Sequence, residues 1–410
     1  LSFMNIGLIT IGSELLNGTR TDTNATWIGN AVISSGGKVV WHITTNDNKN
    51  DIIYSLKNMP KDINTIICTG GLGPTHDDIT SKVLFEYFNA KPEFDDEYWE
   101  LLSSRFTNRG IKIPELNKNQ AIKPSNGNII TNPIGSARGL QFENSEYHLF
   151  ALPGVPSEMK AMMNESVLPW ISSNSNNSSE SILLRTTGIM ESALFEKIEF
   201  LVNEYKDIEL AFLPRFTGVD LRISSNKKNK IKSFINKLKP IIKKYFYGEG
   251  EMQLEDAVAQ LLISNQMTIS SAESCTGGLI GDRLTNVSGS SKYFKGSIVA
   301  YSNEIKSSIL NINEDVIATH GAVSEEVAVA MARAVKNKLK SDIGISTTGI
   351  AGPSGGSKDK PVGLVYIGIV SDQYEKVYKF KFTFNRKTNK LMSSQSALNI
   401  LRIYLLKEVK

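Results

Sequence analysis

Residues 267–284 read Met267-Thr268-Ile269-Ser270-Ser271-Ala272-Glu273-Ser274-Cys275-Thr276-Gly277-Gly278-Leu279-Ile280-Gly281-Asp282-Arg283-Leu284. A β-rich run leads in, a small polar turn follows, and a helical pattern leads out. Strand, turn and helix in that order is how α/β proteins present a nucleophile or an anion site. The glycines let backbone approach a ligand, and the first amides of a helix point at negative charge. Ser274 and Cys275 stand side by side in the turn, and either side chain is a nucleophile by type. The stretch therefore predicts an α/β domain with a site at Ser274.

The residues on either side read as support for that site. Residues 254–264 form a helical pattern that feeds the strand. Residues 296–301 form a second strand ending in Tyr301, and Ser302-Asn303 caps a helix with Lys306 about one turn in. Residues 342–347 form a third strand, delivering Thr348-Gly349-Ile350-Ala351-Gly352-Pro353, a second loop rich in amides. Two more strands and a helix over residues 387–406 complete the domain. No Ser-His-Asp order and no Cys-His pair stands out, and His320 reads as structural. A serine without histidine needs another base, and a desolvated lysine serves when its pKa is depressed. Ser274, Lys306 and Tyr301 make a chemically complete set for acyl transfer. Gly277-Gly278 and residues 349–352 would supply the oxyanion donors and a phosphate cradle. Taken alone, Lys306 reads better as a surface lysine of its helix.

The first third of the chain alternates strand and helix as well, which predicts a parallel sheet with right-handed crossovers. Its third strand runs into Gly70-Gly71-Leu72-Gly73-Pro74-Thr75-His76-Asp77-Asp78. Glycines at a strand's carboxyl end free backbone amides for phosphate, and paired carboxylates beside phosphate suit a hard divalent cation. Asp77 and Asp78 are the metal candidates and Glu14 a weaker one; the plainer reading makes all three helix caps.

Between these parts lie a polar run over residues 172–179 and a small α+β unit over 181–248. The unit has no Gly-x-x-Gly grip for nucleic acid. Its lysine-rich segment, residues 227–244, reads as a solvated amphipathic helix that Pro240 ends or kinks. The three parts are thus 1–171, 172–250 and 251–410, and the middle one reads as a connector. With 410 residues, 40% hydrophobic, 21% charged and a net charge of +4, the chain is ordinary globular material. Nothing global demands nucleic acid or membrane, and no apolar run approaches the ~18 residues of a membrane span. Two cysteines, Cys68 and Cys275, suggest neither a disulfide framework nor a zinc site. Residues 1–3 stand ahead of Met4 without the regions of a signal peptide, so a cytoplasmic protein is expected.

Gly12-Ser13-Glu14-Leu15-Leu16, Asp22-Thr23-Asn24 and residues 70–80 resemble the CinA family of competence/damage-inducible proteins. Residues 132–139 and 152–159 fit the same pattern. Ala272–Gly278, residues 301–304, residues 320–324 and residues 349–353 are similar to the nicotinamide-nucleotide amidase domain at the C-terminus of that family. The resemblance implies two three-layer α/β/α domains joined by a small KH-like α+β module. It implies conversion of nicotinamide mononucleotide to nicotinic acid mononucleotide and ammonia, without a cofactor, in nucleotide salvage. Ser274 maps to the nucleophile, Tyr301 and Lys306 to its partners, and Cys275, Thr276, Gly277, Gly278, Gly349, Ala351, Gly352 and Arg386 to the substrate site. For the first domain it implies an ADP-ribose pyrophosphatase using Mg, Mn or Co, with Gly70, Gly71 and Gly73 on phosphate. A homodimer acting on small nucleotides is expected. The chain departs from the family at Arg138, where many members have proline. It departs again at Phe384-Asn385-Arg386 with Lys390, where many have Gly-Asp-Arg and a second arginine. Two other readings stay open: a pyrophosphatase with a degenerate amidase domain, and a non-catalytic binding protein of DNA uptake.

Overall fold

A computed structural model describes residues 4–175, 180–225 and 227–408. Residues 1–3 and 176–179, the latter part of the expected linker, lie outside the described residues. Compactness divides the chain into one unit of Leu1–Ser181 with Ser224–Lys228 and another of Ile182–Ile223 with Asn229–Lys410.

In the first unit a six-stranded sheet runs in the order Gly37–Thr45, Met4–Ile11, Thr65–Thr69, His148–Leu152, Gly139–Glu143 and Asn128–Ile130. The first four strands are parallel, and the last two turn antiparallel. Along Met4–Ile11, Ile9 and Ile11 enter one core, while Ile6 and Leu8 enter the core of the opposite face. A strand covered on both faces needs apolar residues at every position, which is why this run does not alternate. The helix Thr23–Ser34 starts where Asp22 accepts from the Ala25 amide at 2.8 Å. Two expectations need correction. Ser172, Ser173 and Asn174 are not linker but the end of the helix Leu168–Asn174. Asp77 and Asp78 neither open nor cap the next helix, which begins at Thr80 behind Ile79.

The second unit holds most of the small module and the C-terminal domain. The module has a four-stranded sheet in the order Glu209–Arg215, Gly218–Ser225, Glu180–Thr186, Phe246–Glu249, with helices Glu191–Glu204 and Lys228–Ile242. The two outer strands were not foreseen. One of them carries Pro214, which an edge strand tolerates because its N–H is not needed for pairing. The helix Lys228–Ile242 runs through Pro240 rather than ending there. Ile231, Phe234, Ile235, Leu238 and Ile242 share one buried face, and burying Ile242 past the proline offsets the lost backbone bond.

A five-stranded sheet forms the C-terminal domain, in the order Phe294–Val299, Ile269–Glu273, Ile343–Gly349, Leu364–Val370 and Glu375–Lys381. Its first three strands are parallel and its last two antiparallel. Helices Leu254–Ser264, Leu279–Thr285 and Arg386–Glu408 cover one face, and Glu325–Leu339 packs on the other. Each large domain is therefore a helix–sheet–helix sandwich. Glu273 pairs with Val299 on one side and Thr347 on the other, so the three parallel strands end level. Their carboxyl ends deliver Ser274, Tyr301 and the loop after Gly349 to one edge, where open α/β sheets bind ligands.

Candidate active site

Ser274 is the first residue beyond the central strand, and its amide donates to Thr347 O at 2.9 Å. Lys306 lies in the helix Asn303–Ser308, which Ser302 caps by accepting from Ile305 N. That cap turns the lysine inward, where it is 1% exposed. The Lys306 Nζ stands 3.2 Å from Ser274 Oγ, 3.1 Å from Tyr301 O and 3.5 Å from Ser302 O. Among these neighbours no carboxylate compensates the ammonium, and burial depresses the lysine pKa. A neutral amine has two N–H bonds and one lone pair. With the two carbonyls taking the N–H bonds, the lone pair is left for the Ser274 hydroxyl.

Tyr301 reaches the pair through its backbone carbonyl. Its side chain is 59% exposed and its hydroxyl accepts from Arg386 Nη2 at 2.7 Å. Arg386 also donates from Nη1 to Gly352 O at 2.7 Å, so one guanidinium braces the tyrosine and the second loop. Asn389 Nδ2 ties Ala351 O to Phe384 O at 3.0 and 2.9 Å, fixing the loop that carries Arg386. A Cβ at Gly277 would stand 3.3 Å from Lys390 Nζ, so that cation hangs over the nucleophile turn. Arg386 and Lys390 thus retain positive charge at this edge despite the altered sequence around them.

Glu273 is the site residue that sequence reasoning missed. It is fully buried and accepts from the Ile280 and Gly281 amides at 3.0 and 2.8 Å and from Ser297 Oγ at 3.0 Å. Two first-turn amides of the helix Leu279–Thr285, those of Ile280 and Gly281, expected to face a ligand, are therefore taken by the chain's own carboxylate. The amides left for a ligand are those of the turn: Thr276 and Gly278 have no protein acceptor among the described residues, and Cys275 N–H meets only its own thiol. Gly278 holds φ 92° at the helix entry, a conformation that favours glycine. The one signal for Glu273 was an acid ending a strand directly before a glycine-opened helix.

Cys275 is buried, and desolvation pushes its thiol up to about 12. A thiol kept protonated is a poor nucleophile. Cys275→Ala is expected to retain activity within about threefold of wild type, measured as turnover of the purified variant. His320 ends the helix Glu314–His320 and pairs with Glu326 at 3.3 Å, away from Ser274's partners.

The first unit has a separate cleft of about 560 Å³, lined by Glu14, Gly70, Gly71, Gly73, Asp77, Asp78 and Glu158 among others. All six expected residues thus share one cavity. The Gly70 amide donates to Leu152 O and is not free for phosphate, whereas the amides of Gly71 and Gly73 have no acceptor among the described residues. A Cβ at Gly70 would fall 2.1 Å from Ile11 O, so nothing larger fits. Asp78 accepts from the Thr75 amide at 3.0 Å and from its hydroxyl, and Asp77 faces His76 at 3.2 Å. Among the described residues no three His, Cys, Asp or Glu side chains converge on one point. The carboxylates fit a cation bound by one or two of them with phosphate and water completing its shell, not an all-protein cage. Arg138 is structural: it pairs with Asp95 at 2.6 Å, stacks 4.0 Å over the Tyr98 ring and donates to Gln120 O.

Comparison with known proteins divides the chain in the same sense. The model of the probable molybdopterin binding domain matches residues 7–173, that of the damage-inducible protein CinA KH domain residues 181–248, and that of the CinA C-terminal domain residues 251–405. A protein of Halothermothrix orenii, competence-damage inducible by name, is 40% identical over 406 residues, covering 97% of this chain and 98% of that one. A CinA-like protein of Salinibacter ruber is 39% identical over 407 residues, covering 97% and 99%. A crystal structure of a competence-damaged protein (CinA) superfamily protein from Klebsiella pneumoniae is 27% identical, covering 38% of this chain and 96% of that one with a TM-score of 0.37.

Proposed function

We propose, for a chain that belongs to the CinA family, that the C-terminal domain hydrolyses nicotinamide mononucleotide to nicotinic acid mononucleotide and ammonia through Ser274. The observation that carries this reading is the buried Lys306 amine, 3.2 Å from Ser274 Oγ at the end of the central strand. Neutral Lys306 takes the hydroxyl proton as Ser274 Oγ attacks the carboxamide carbon. The turn amides of Cys275, Thr276 and Gly278 receive the oxyanion that forms. The lysine ammonium returns the proton to the departing nitrogen, which leaves as ammonia. Water, deprotonated by the same amine, then cleaves the acyl ester and restores Ser274. The exposed Tyr301 ring, held by Arg386, offers a face to the cationic pyridinium.

Arg386 and Lys390 supply the charge for the substrate's phosphate. Arg386→Ala is expected to raise KM about 10-fold or more with a smaller change in kcat, since it removes a charge-assisted contact made equally in ground and transition states. Steady-state kinetics on nicotinamide mononucleotide checks this.

The first domain's cleft supports a second activity, cleavage of a nucleoside pyrophosphate of the ADP-ribose class. Gly71 and Gly73 amides would hold phosphate, and Asp77, Asp78 and Glu14 would help hold a divalent cation whose charge offsets that of the leaving phosphate. Chelation separates the two sites. With EDTA present, ammonia release from nicotinamide mononucleotide should persist while ADP-ribose cleavage stops. Loss of ammonia release on chelation would overturn the first proposal, and persistence of ADP-ribose cleavage the second.

A further inference from the structure

The small module touches the C-terminal domain at a point that leads to both walls of the Ser274 site. Its outer hairpin, Glu209–Arg215 and Gly218–Ser225, turns at Phe216-Thr217. The Thr217 carbonyl accepts from Gln395 Nε2 at 3.3 Å, and the same nitrogen donates to Thr187 Oγ1 at 3.0 Å. Gln395 lies in the helix Arg386–Glu408 and is 4% exposed. Its Oε1 accepts from Arg283 Nη2 at 2.8 Å. Arg283 also donates to Ser394 Oγ at 3.1 Å and to Glu255 through Nε and Nη2 at 3.2 and 2.6 Å.

The orientation of the Gln395 amide follows from its partners alone. A guanidinium only donates and a peptide carbonyl only accepts, so a flipped amide would face donor with donor and acceptor with acceptor. Gln395 is therefore a one-way bridge from the module's backbone to Arg283. Arg283 belongs to the helix Leu279–Thr285, whose other end is held by Glu273, the residue before the nucleophile. This seven-residue helix is fixed at both ends by buried polar contacts, and the module supplies part of one of them.

The opposite wall is reached by Phe216. Its ring meets that of Phe384 edge-on at 5.4 Å, and Phe384 lies two residues ahead of Arg386, the first residue of the helix Arg386–Glu408. Arg386 in turn holds Tyr301 and Gly352. Arg402, buried in the same long helix, donates to Phe246 O and Lys244 O of the module at 2.8 and 2.6 Å, which fixes the docking.

We infer that the module's Phe216-Thr217 turn positions the Ser274 site, with Gln395 as the positioning residue toward the nucleophile helix and Phe216 toward the Arg386 loop. This rests on the amidase reading for its catalytic consequence, though not for the coupling itself. The module, expected from sequence to be a connector, becomes a part of the enzyme that sets its geometry.

Gln395→Glu tests the bridge with almost no change in volume. The carboxylate still accepts from Arg283 but meets Thr217 O with another acceptor, and the Thr187 hydroxyl can hold it only by releasing Thr217 O, its present acceptor at 2.7 Å, so the turn loses an anchor either way. In the full-length chain, hydrogen exchange of the peptide spanning residues 274–285 should accelerate about 10-fold or more. The kcat for nicotinamide mononucleotide should fall about 10-fold to 100-fold with KM little changed, the scale set by small misplacements of reacting groups. Phe216→Ala, at an exposed position, should do the converse and raise KM several-fold with kcat nearly constant. Gln395→Glu with wild-type exchange in that peptide would overturn the coupling, whatever the activity. Faster exchange with wild-type kcat would overturn its role in positioning the nucleophile. A wild type silent on the substrate while the variant's exchange rises would leave the coupling standing and overturn the amidase reading.

Discussion

Ser274→Ala is expected to lower ammonia release from nicotinamide mononucleotide by about 10⁴-fold or more, the scale seen when an acyl-transfer nucleophile is removed. The fold should survive. Lys306 Nζ keeps two backbone carbonyl partners after the hydroxyl is gone, and the Ser274 amide still pairs with Thr347 O. A melting temperature near wild type beside the lost turnover would separate loss of chemistry from loss of structure. Paired with Cys275→Ala, the variant assigns the nucleophile to one of two adjacent side chains.

Lys306→Met is expected to cost about 10³-fold in kcat, within the range of a general acid–base, and its effect on stability should run the other way. Burial lowers the lysine's pKa in the folded chain, so the unfolded chain binds the proton more tightly. Stability then increases with pH across the window from the depressed value up to the ordinary lysine value of about 10.4. Below that window the full penalty of a buried ammonium applies, and methionine removes it. Lys306→Met should therefore melt no lower than wild type at neutral pH while being almost inactive. Wild-type kcat should rise with pH through the lowered lysine pKa, because only the neutral amine accepts the serine proton. A rate already flat with pH well below that value would contradict the assignment.

Much of this site was legible before any coordinates. The switch from a β-rich run to a helical pattern across residues 267–284 located the turn of Ser274, and the turn lies where it was read. The place of Lys306 was legible because Ser302-Asn303 is a recognisable cap, which sets the lysine one turn in, but its burial was not, since the pattern alone favoured a surface lysine. What stayed hidden depended on direction. Spacing put Tyr301 beside Lys306 but did not show that its hydroxyl turns outward to Arg386 while its carbonyl faces the amine. The first amides of the helix Leu279–Thr285 were read as facing a ligand because a helix N-terminus leaves them unpaired; here Glu273 folds back on two of them. Gln395 and Arg283 lie 112 residues apart, and no local pattern joins a polar pair across that interval. In the sheets, apolar runs marked the buried parallel strands well, whereas edge strands such as Glu209–Arg215 carry too weak an alternation to read.

The central claim is a covalent ester on Ser274. The measurement that tests it most directly is acid quench of wild type turning over a slow nicotinamide mononucleotide analogue, followed by peptide mass mapping. An added acyl group of the substrate is expected on the peptide containing Ser274, absent from Ser274→Ala and from Lys306→Met. An adduct on Cys275, or turnover with no acyl-enzyme at any quench time, would contradict it.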